Sequence, residues 1–294
     1  MFGKCGECSA EISDSPDFLV YSCFGAEFKK YHNCVKIFIT GENIVPNFNE
    51  CDYAIGFDDI KFGDRYLRYN TLIGRNVAFI NERNIADELI NRRFCNFMYS
   101  NFNSGEGTLL RQEFFHKLSE YKHIDAPGKV CHNTNYTVAD KLEYIKNYKF
   151  TIAFENSKSL GYTTEKLFDP LKMYSIPIYW GNPDIVKDIN PKSFINCNDY
   201  DDFGGVIKRV IELDNDNEQY LAMLREKPIL ENSYLLKQEE EYEKFFINII
   251  KKGNKPYNKD PRNFQSRKEP KPKKTALFKI KREFLRLFGI KIKP

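Results

Sequence analysis

FTIAFENSKSLGYTTEKLFDPLKMYSIPIYWG, residues 150–181, decides how this chain folds. Lys149–Phe154 and Ile176–Trp180 are short runs of β-branched and aromatic residues, which read as strands. Both are apolar almost throughout, so each should be buried on both faces of its sheet. Between them a polar turn leads into Thr164–Tyr174, where the apolar spacing is helical. Strand, turn, helix and strand in that order make a parallel βαβ unit. The same alternation extends outward. Asp17–Phe24, Val35–Thr40, Asp52–Phe57 and Phe94–Ser100 read as further strands, and Leu109–Tyr121, Thr137–Asn147, Asp202–Leu213 and Tyr234–Lys252 as helices. The expected class is α/β with parallel sheets covered on both faces.

The turn Asn156–Thr163 falls at the carboxyl end of a predicted parallel strand, where open α/β sheets bind ligands. Thr163 or Thr164 can cap the helix that follows, whose free N–H groups and positive dipole end suit a phosphate. Lys166 sits in the first turn, where a helix ordinarily prefers an acid. That misplacement hints at a ligand anion. Glu165 can accept hydrogen bonds from a ribose diol, and Tyr162 can cover a sugar or base. A solvated capping segment explains the same residues without any ligand, and both readings stay open on spacing alone. Thr40-Gly41-Glu42-Asn43 follows another strand, so Glu42 is either a general-base candidate facing the same cleft or an ordinary turn residue.

Composition narrows the classes. The chain has 294 residues, 41% hydrophobic and 29% charged, with 25 Phe and 18 Tyr, which excludes disorder as its main theme. The apolar runs are too short to span a bilayer. No secretory signal is visible in residues 1–20, and eight cysteines without one read as reduced thiols in a cytoplasmic protein. Residues 251–294 carry 16 Lys and Arg against 3 Asp and Glu, a net +13, whereas the rest carries 29 against 38. Residues 251–272 read as a linker. Beyond Thr275, Leu277, Phe278, Ile280, Phe284, Leu285, Leu287 and Phe288 fill one half of a helical wheel. Lys279, Arg282, Glu283 and Arg286 fill the other, with Lys281 the one intruder. Such a helix lies in a membrane interface or docks on the protein's own body. The preceding linker and the basic polar face favour an anionic membrane surface, with 275–290 as the contact. Nucleic acid is not expected as a partner, because aromatics are not interleaved with the basic residues on a folded surface.

Several motifs together resemble a known family. FENS, GYTTEK and IPIYWG within 150–181 are similar to the signature of the α-1,3/1,4-fucosyltransferases, family 10 of the glycosyltransferases. ITGENIVPNFNECDYAIGFDDIKFGDRYLR at 39–68 resembles the acceptor-side segment of its bacterial members. CNFMYSN at 95–101, the helix around Arg111, PGKV at 127–130 and NPKSFIN at 190–196 also match. The resemblance implies a GT-B fold, two Rossmann-like halves facing across a cleft. Residues 1–75 would form a shortened acceptor half and 76–250 the half that binds GDP-fucose, with the last helix crossing back. Residues 251–294 would form the basic tail. It implies inverting transfer of L-fucose from GDP-β-L-fucose to N-acetylglucosamine of a lactosamine-type glycan, at the inner face of the membrane. Glu42 matches the family's general base, and Arg111 and Lys166 match the cations on the leaving diphosphate. Tyr162 and Glu165 match nucleotide-sugar contacts, with Asn156 and Ser157 in the same loop. No cofactor and no metal are expected.

Two further patterns read as structural. Asp199-Tyr200-Asp201 and Asp214-Asn215-Asp216 have the form of a metal-binding DxD, yet both sit near predicted helix starts, where acids complement the dipole. Cys5 and Cys8 form a CxxC without a second pair, and the other six cysteines read as small core residues. His116 and His123 read as surface residues. A transferase for another nucleotide sugar, or a donor-binding protein that does not transfer, fits the same residues less closely.

Overall fold

The computed structural model describes residues 11–73, 77–102 and 105–257. Two parallel sheets carry it. The first has β1 (Phe18–Tyr21), β2 (Val35–Ile39), β3 (Tyr53–Gly56) and β4 (Tyr66–Arg68), side by side in chain order. The second is ordered β6-β5-β7-β8-β9. Its strands are β5 (Arg93–Asn96), β6 (Ile124–Asp125), β7 (Tyr148–Phe154), β8 (Ile176–Trp180) and β9 (Ile195–Asn196). Every strand pair in both sheets is parallel. Among the described residues six α-helices complete the fold: α1 (Glu106–Ser119), α2 (Lys141–Ile145), α3 (Glu165–Lys172), α4 (Phe203–Asn215), α5 (Asn217–Arg225) and α6 (Gln238–Lys251).

The class is α/β, as the sequence predicts, and all seven residues of β7 and all five of β8 are buried. The halves differ in how their sheets are covered. In the second, α1, α4 and α5 pack one face through Phe114, Leu118, Val206, Val210 and Tyr220, and α3 packs the other through Leu167, Phe168 and Leu171. The first sheet departs from the expected alternation, because no α-helix lies between β1 and β4. One face is covered by Phe245 and Ile249 of α6, which has crossed from the end of the chain. The other is covered by the loops carrying Phe48, Cys51 and Phe62.

Boundaries shift for local reasons. The strand expected over 94–100 ends at Asn96. Beyond it the Tyr99 hydroxyl takes over the pairing, accepting from Phe154 N at 2.7 Å and donating to Ile152 O at 2.9 Å. The helix expected from Thr137 begins at Lys141, because Asp140 caps it by accepting from Leu142 N at 2.8 Å. Asp214 is not a free acid: it is buried against Lys149 at 3.2 Å and Lys122 at 3.0 Å, while Asp216 caps α5 through Gln219 N. His123 is exposed as expected, but His116 is half-buried 3.9 Å from Cys131, and burial pulls its pKa down. Cys5, Cys8, Gly74 and the whole 258–294 segment lie outside the described residues.

The halves are joined by side chains that reach across. Arg68, at the end of β4, pairs with Asp188 at 3.0 Å and stacks on Tyr234 at 3.9 Å. Asn43 donates to Ser157 Oγ at 2.8 Å. Asn70, buried, donates to Thr163 O at 2.7 Å, and its own N–H donates to Gln238 Oε1 at 3.1 Å. Gly161, at φ +80°, lies so close to Phe57 O that a Cβ there would stand 2.3 Å away.

Asn70→Ala strands the Thr163 carbonyl in a buried seam. An unpaired buried acceptor costs about 1–3 kcal/mol. The free energy of unfolding in urea should therefore fall by that amount, and the midpoint by that amount divided by the unchanged slope.

Candidate active site at the sheet edges

The site is built where β5 and β7 end and α1 and α3 begin. Phe154 is the last residue of β7, and Glu155 follows with no exposure at all. Its carboxylate accepts from Thr164 N at 2.7 Å through one oxygen and from Thr164 Oγ1 at 2.7 Å through the other. The same Thr164 hydroxyl caps α3 by accepting from Lys166 N, and it accepts from Lys166 Nζ at 3.1 Å. Lys166 Nζ then lies 3.5 Å from Glu155 and 3.2 Å from Glu165. Burial alone would lower the ammonium's pKa, but the two carboxylates outweigh it and hold it above its usual range. Burial raises the pKa of Glu155 against the pull of Lys166 and Thr164. Glu165 also feels burial, yet Lys166 and Lys141 bring its pKa below the ordinary carboxylate value.

Lys166 therefore has its counter-charges within the protein. The hint of a ligand anion drawn from its place in the first turn loses force, because Glu155 and Glu165 already compensate that placement. Arg111 is the stronger signal. Its side chain is fully buried in α1, with Nη1 donating to Asn156 Oδ1 at 3.1 Å, Nη2 to Asn101 O at 2.5 Å, and the guanidinium lying 3.9 Å over the Tyr99 ring. Its Nε has no partner, and among the described residues it pairs with no carboxylate. Burial lowers its pKa, with Tyr99 and Glu155 opposing. A buried guanidinium without a carboxylate partner would be stabilised by an anion brought to it.

Two adjoining cavities gather most of the residues singled out above. One, of about 230 Å³, is lined by Arg111, Asn156, Glu165 and Lys166, with Asn96 at the end of β5 and Thr151 in the middle of β7. The other, of about 390 Å³, opens between the halves and is lined by Glu42, Tyr162, Asn156, Glu165 and Lys166, with Phe24 and Leu72 on the first half. Asn156, Glu165 and Lys166 thus form a shared wall, with Arg111 on one side and Glu42 on the other. Glu42 is exposed at the turn after β2, which is held by Thr40 Oγ1 accepting from Glu42 N at 2.9 Å. Tyr162 is buried edge-on against Phe57, with ring centroids 5.2 Å apart. Ser157 lines neither cavity and instead accepts the cross-half bond from Asn43.

Sequence reasoning passed over three residues. Glu155 carried a signal, since a Glu directly after an all-apolar strand must be buried or solvated, but spacing does not say which. Phe24 is 76% exposed on the cleft wall, and nothing in its sequence context marks it. Asn182 accepts from Gly161 N at 3.0 Å and donates to Thr163 Oγ1 at 3.1 Å, fixing the loop that carries Tyr162.

Comparison with known proteins agrees with this layout. A family model described as the alpha-(1,3)-fucosyltransferase N-terminal domain matches residues 7–73, and one described as glycosyltransferase family 10 (fucosyltransferase) matches 91–257. The chain belongs to glycosyltransferase family 10. An alpha-(1,3)-fucosyltransferase of Helicobacter pylori is 34% identical over 234 residues, 68% of this chain and 48% of that one. A putative fucosyltransferase of Acanthamoeba polyphaga mimivirus is 32% identical over 161 residues, 51% of this chain and 26% of its own length. The chain thus spans about half the length of the first relative and a quarter of the second. A crystal structure of an alpha1,3-fucosyltransferase with GDP superposes with a TM-score of 0.70 at 29% identity, covering 85% of this chain and 82% of that one. Another, with GDP-fucose, gives 0.65 at 27% identity, covering 83% and 93%. The fold is GT-B.

The cage around Glu155 makes one substitution informative. A Cβ on Gly107, in the first turn of α1, would stand 1.9 Å from Glu155 O. Gly→Ala inside a helix ordinarily stabilises by about 0.5–1 kcal/mol. Gly107→Ala should do the opposite and lower the melting temperature by several degrees, because α1 or the Glu155 backbone must move.

Proposed function

We propose that this chain transfers L-fucose from GDP-β-L-fucose to N-acetylglucosamine of a lactosamine-type glycan, with inversion and without a metal. The supporting observation is the buried Arg111 guanidinium, which shares the Asn156–Glu165–Lys166 wall with a cleft that carries Glu42 on its far side. Family membership and the likeness to fucosyltransferases crystallised with GDP and GDP-fucose support the choice of donor.

In this reading the diphosphate lies between Arg111 and Lys166, and Glu165 and Tyr162 contact the nucleotide sugar. A hydroxyl of the acceptor attacks fucose carbon 1 from the Glu42 side. Its proton passes to the Glu42 carboxylate as the new C–O bond forms. The bond from carbon 1 to the β-phosphate oxygen breaks, and GDP departs with the electron pair. Attack opposite the leaving group converts the β-linked donor into an α-linked product, in 1,3 or 1,4 linkage. Arg111 and Lys166 stabilise the charge that develops on the departing oxygen, each worth roughly 3–4 kcal/mol of barrier in a closed site. They fill the place that a divalent ion takes in other transferases. The Phe24 ring offers the flat apolar face against which a pyranose can lie. The basic 275–290 segment would hold the enzyme at an anionic membrane surface, on the strength of its charge pattern.

Two variants test the assignment with purified protein, GDP-fucose and N-acetyllactosamine in EDTA. Glu42→Gln should lower kcat by about 10²–10⁴-fold, the range for losing a general base, with GDP affinity intact. Full turnover in that variant would exclude Glu42 as the base. Arg111→Lys keeps a charge but gives up the fork to Asn156 and Asn101. GDP affinity by calorimetry should fall about tenfold to a hundredfold, from loss of charge-assisted bonds worth about 1.5–3 kcal/mol.

A further inference from the structure

We propose that Glu155 is the positioning residue of this site, which through Thr164 fixes Lys166 for the leaving diphosphate and offsets one of its two cations so that GDP can depart. The inference rests on the reaction just described and assigns a role to a residue that touches no substrate.

Several independent features converge on this carboxylate. It is fully buried, yet every polar group aimed at it is a donor: Thr164 N at 2.7 Å, Thr164 Oγ1 at 2.7 Å and Lys166 Nζ at 3.5 Å. The Thr164 hydroxyl is saturated, giving its one hydrogen to Glu155 and accepting from Lys166 N and Nζ. A protonated Glu155 would have no acceptor to receive its hydrogen, so the arrangement selects the anion. The backbone allows no retreat. Gly181 lies so close that a Cβ would stand 2.5 Å from Glu155 Cγ, and Glu155 N–H donates to Trp180 O at 2.8 Å. The carboxylate is thus clamped between the ends of β7 and β8 and points at the start of α3.

That geometry has a mechanical consequence. Lys carries a long flexible stem, and holding its ammonium at one point costs rotamer freedom. Here the point is set before any ligand arrives, by a ring of Glu155, Thr164 and Lys166. It also has an electrostatic one. The charges facing Lys166 are Glu155 from the end of β7, Glu165 from α3 itself and Arg111 from α1, with Lys141 of α2 acting on it through Glu165. Removing the Glu155 charge leaves the lysine less anchored and the cavity more positive. The first effect slows the chemical step. The second strengthens the hold on GDP.

The two effects have opposite signs on turnover and on product affinity, which general loosening does not reproduce. Glu155→Gln should lower kcat at least tenfold while GDP affinity stays the same or rises. Amine labelling of Lys166 against pH, read by mass spectrometry, should show a midpoint moved to lower pH, because the carboxylate that raised the ammonium's pKa is gone. Wild-type kcat, or an unmoved labelling midpoint, would overturn the proposal. So would GDP affinity falling in step with kcat. If Glu155→Gln fails to fold, Thr164→Val removes the hydroxyl at the centre of the ring while leaving both charges in place. It should lower kcat at least tenfold without weakening GDP binding, and wild-type kcat there overturns the proposal equally. Should the wild-type protein bind GDP but transfer no fucose, the assigned reaction fails, and Glu155 is then judged by the labelling midpoint and GDP affinity alone.

Discussion

An ionised carboxylate with no exposure must be neutralised where it stands, and the surroundings of Glu155 are organised by that requirement. Moving such a group out of water costs several kcal/mol even after the protein relaxes. Thr164 therefore has to present both its N–H and its hydroxyl, Lys166 has to lie beside them, and α3 has to begin at that residue and no other. Gly107 and Gly181 follow from the same constraint, since the chain on either side must approach closely enough to exclude water. The residues that would meet a ligand are thus fixed by a group that would not.

The two sheets contribute unequally to this. The second supplies rigidity: β7 and β8 are buried throughout, and the carboxyl ends of β5 and β7 face the cavity that Arg111 enters from α1. The first sheet is thinner, four short strands held by loops on one face and by a single returning helix on the other. Its contribution to the cleft is a wall, with Glu42, Phe24 and Leu72 on turns after its strands or close beyond them. That wall keeps its distance from the second half through a few polar links, among them Arg68–Asp188, Asn70–Thr163 and Asn43–Ser157. Because α6 follows the second half in sequence yet packs on the first sheet, the first half is not closed without a helix from beyond the second.

How much of this was legible depends on what each residue type announces. β2, β3, β7 and β8 are runs so apolar that burial is their only outcome, and they appear within a residue or two of their expected limits. β4, β6 and β9 are two or three residues long and exist because a neighbouring strand pairs with them, a fact that no local pattern carries. α5 was invisible because it follows α4 after a single capping Asp216. That α6 crosses back to cover the first sheet was implied by the family resemblance and by no local pattern, because the helix is distant in sequence from the strands it packs on. In the site, Tyr162, Glu165 and Lys166 are neighbours in one turn and could be read from it. Arg111 lies far from that turn in sequence, and its place in the site came from family resemblance, which also decided between the two readings that the turn after β2 left open for Glu42. Glu155 stands in the stretch that decides the fold without announcing its role, since a buried acid and a solvated one look alike until the partners are in view.

The sign of the field in the cleft follows from counting charges at their depths. Arg111, Lys166, Glu155 and Glu165 sum to zero, and Lys141, which also lines the cavity, is paired with Asp169 at 2.7 Å, so the count by itself predicts no preference for an anion. They are not equivalent, however. Glu155 is spent on the inner side, turned away from the cavity and satisfied by Thr164, whereas Lys166 and the guanidinium of Arg111 line the cavity wall. Glu165 is partly exposed, and its charge is better screened. An anion entering that cavity would meet two cations whose compensating charges lie behind them or nearer to water. It displaces little of the existing pairing, because Arg111 has no carboxylate partner to surrender among the described residues. A site that was neutral and fully paired internally would have to break an ion pair to bind its ligand. This one can keep its internal pairs, because the buried Arg111 guanidinium has no carboxylate partner among the described residues and an anion could approach it without breaking an existing pair.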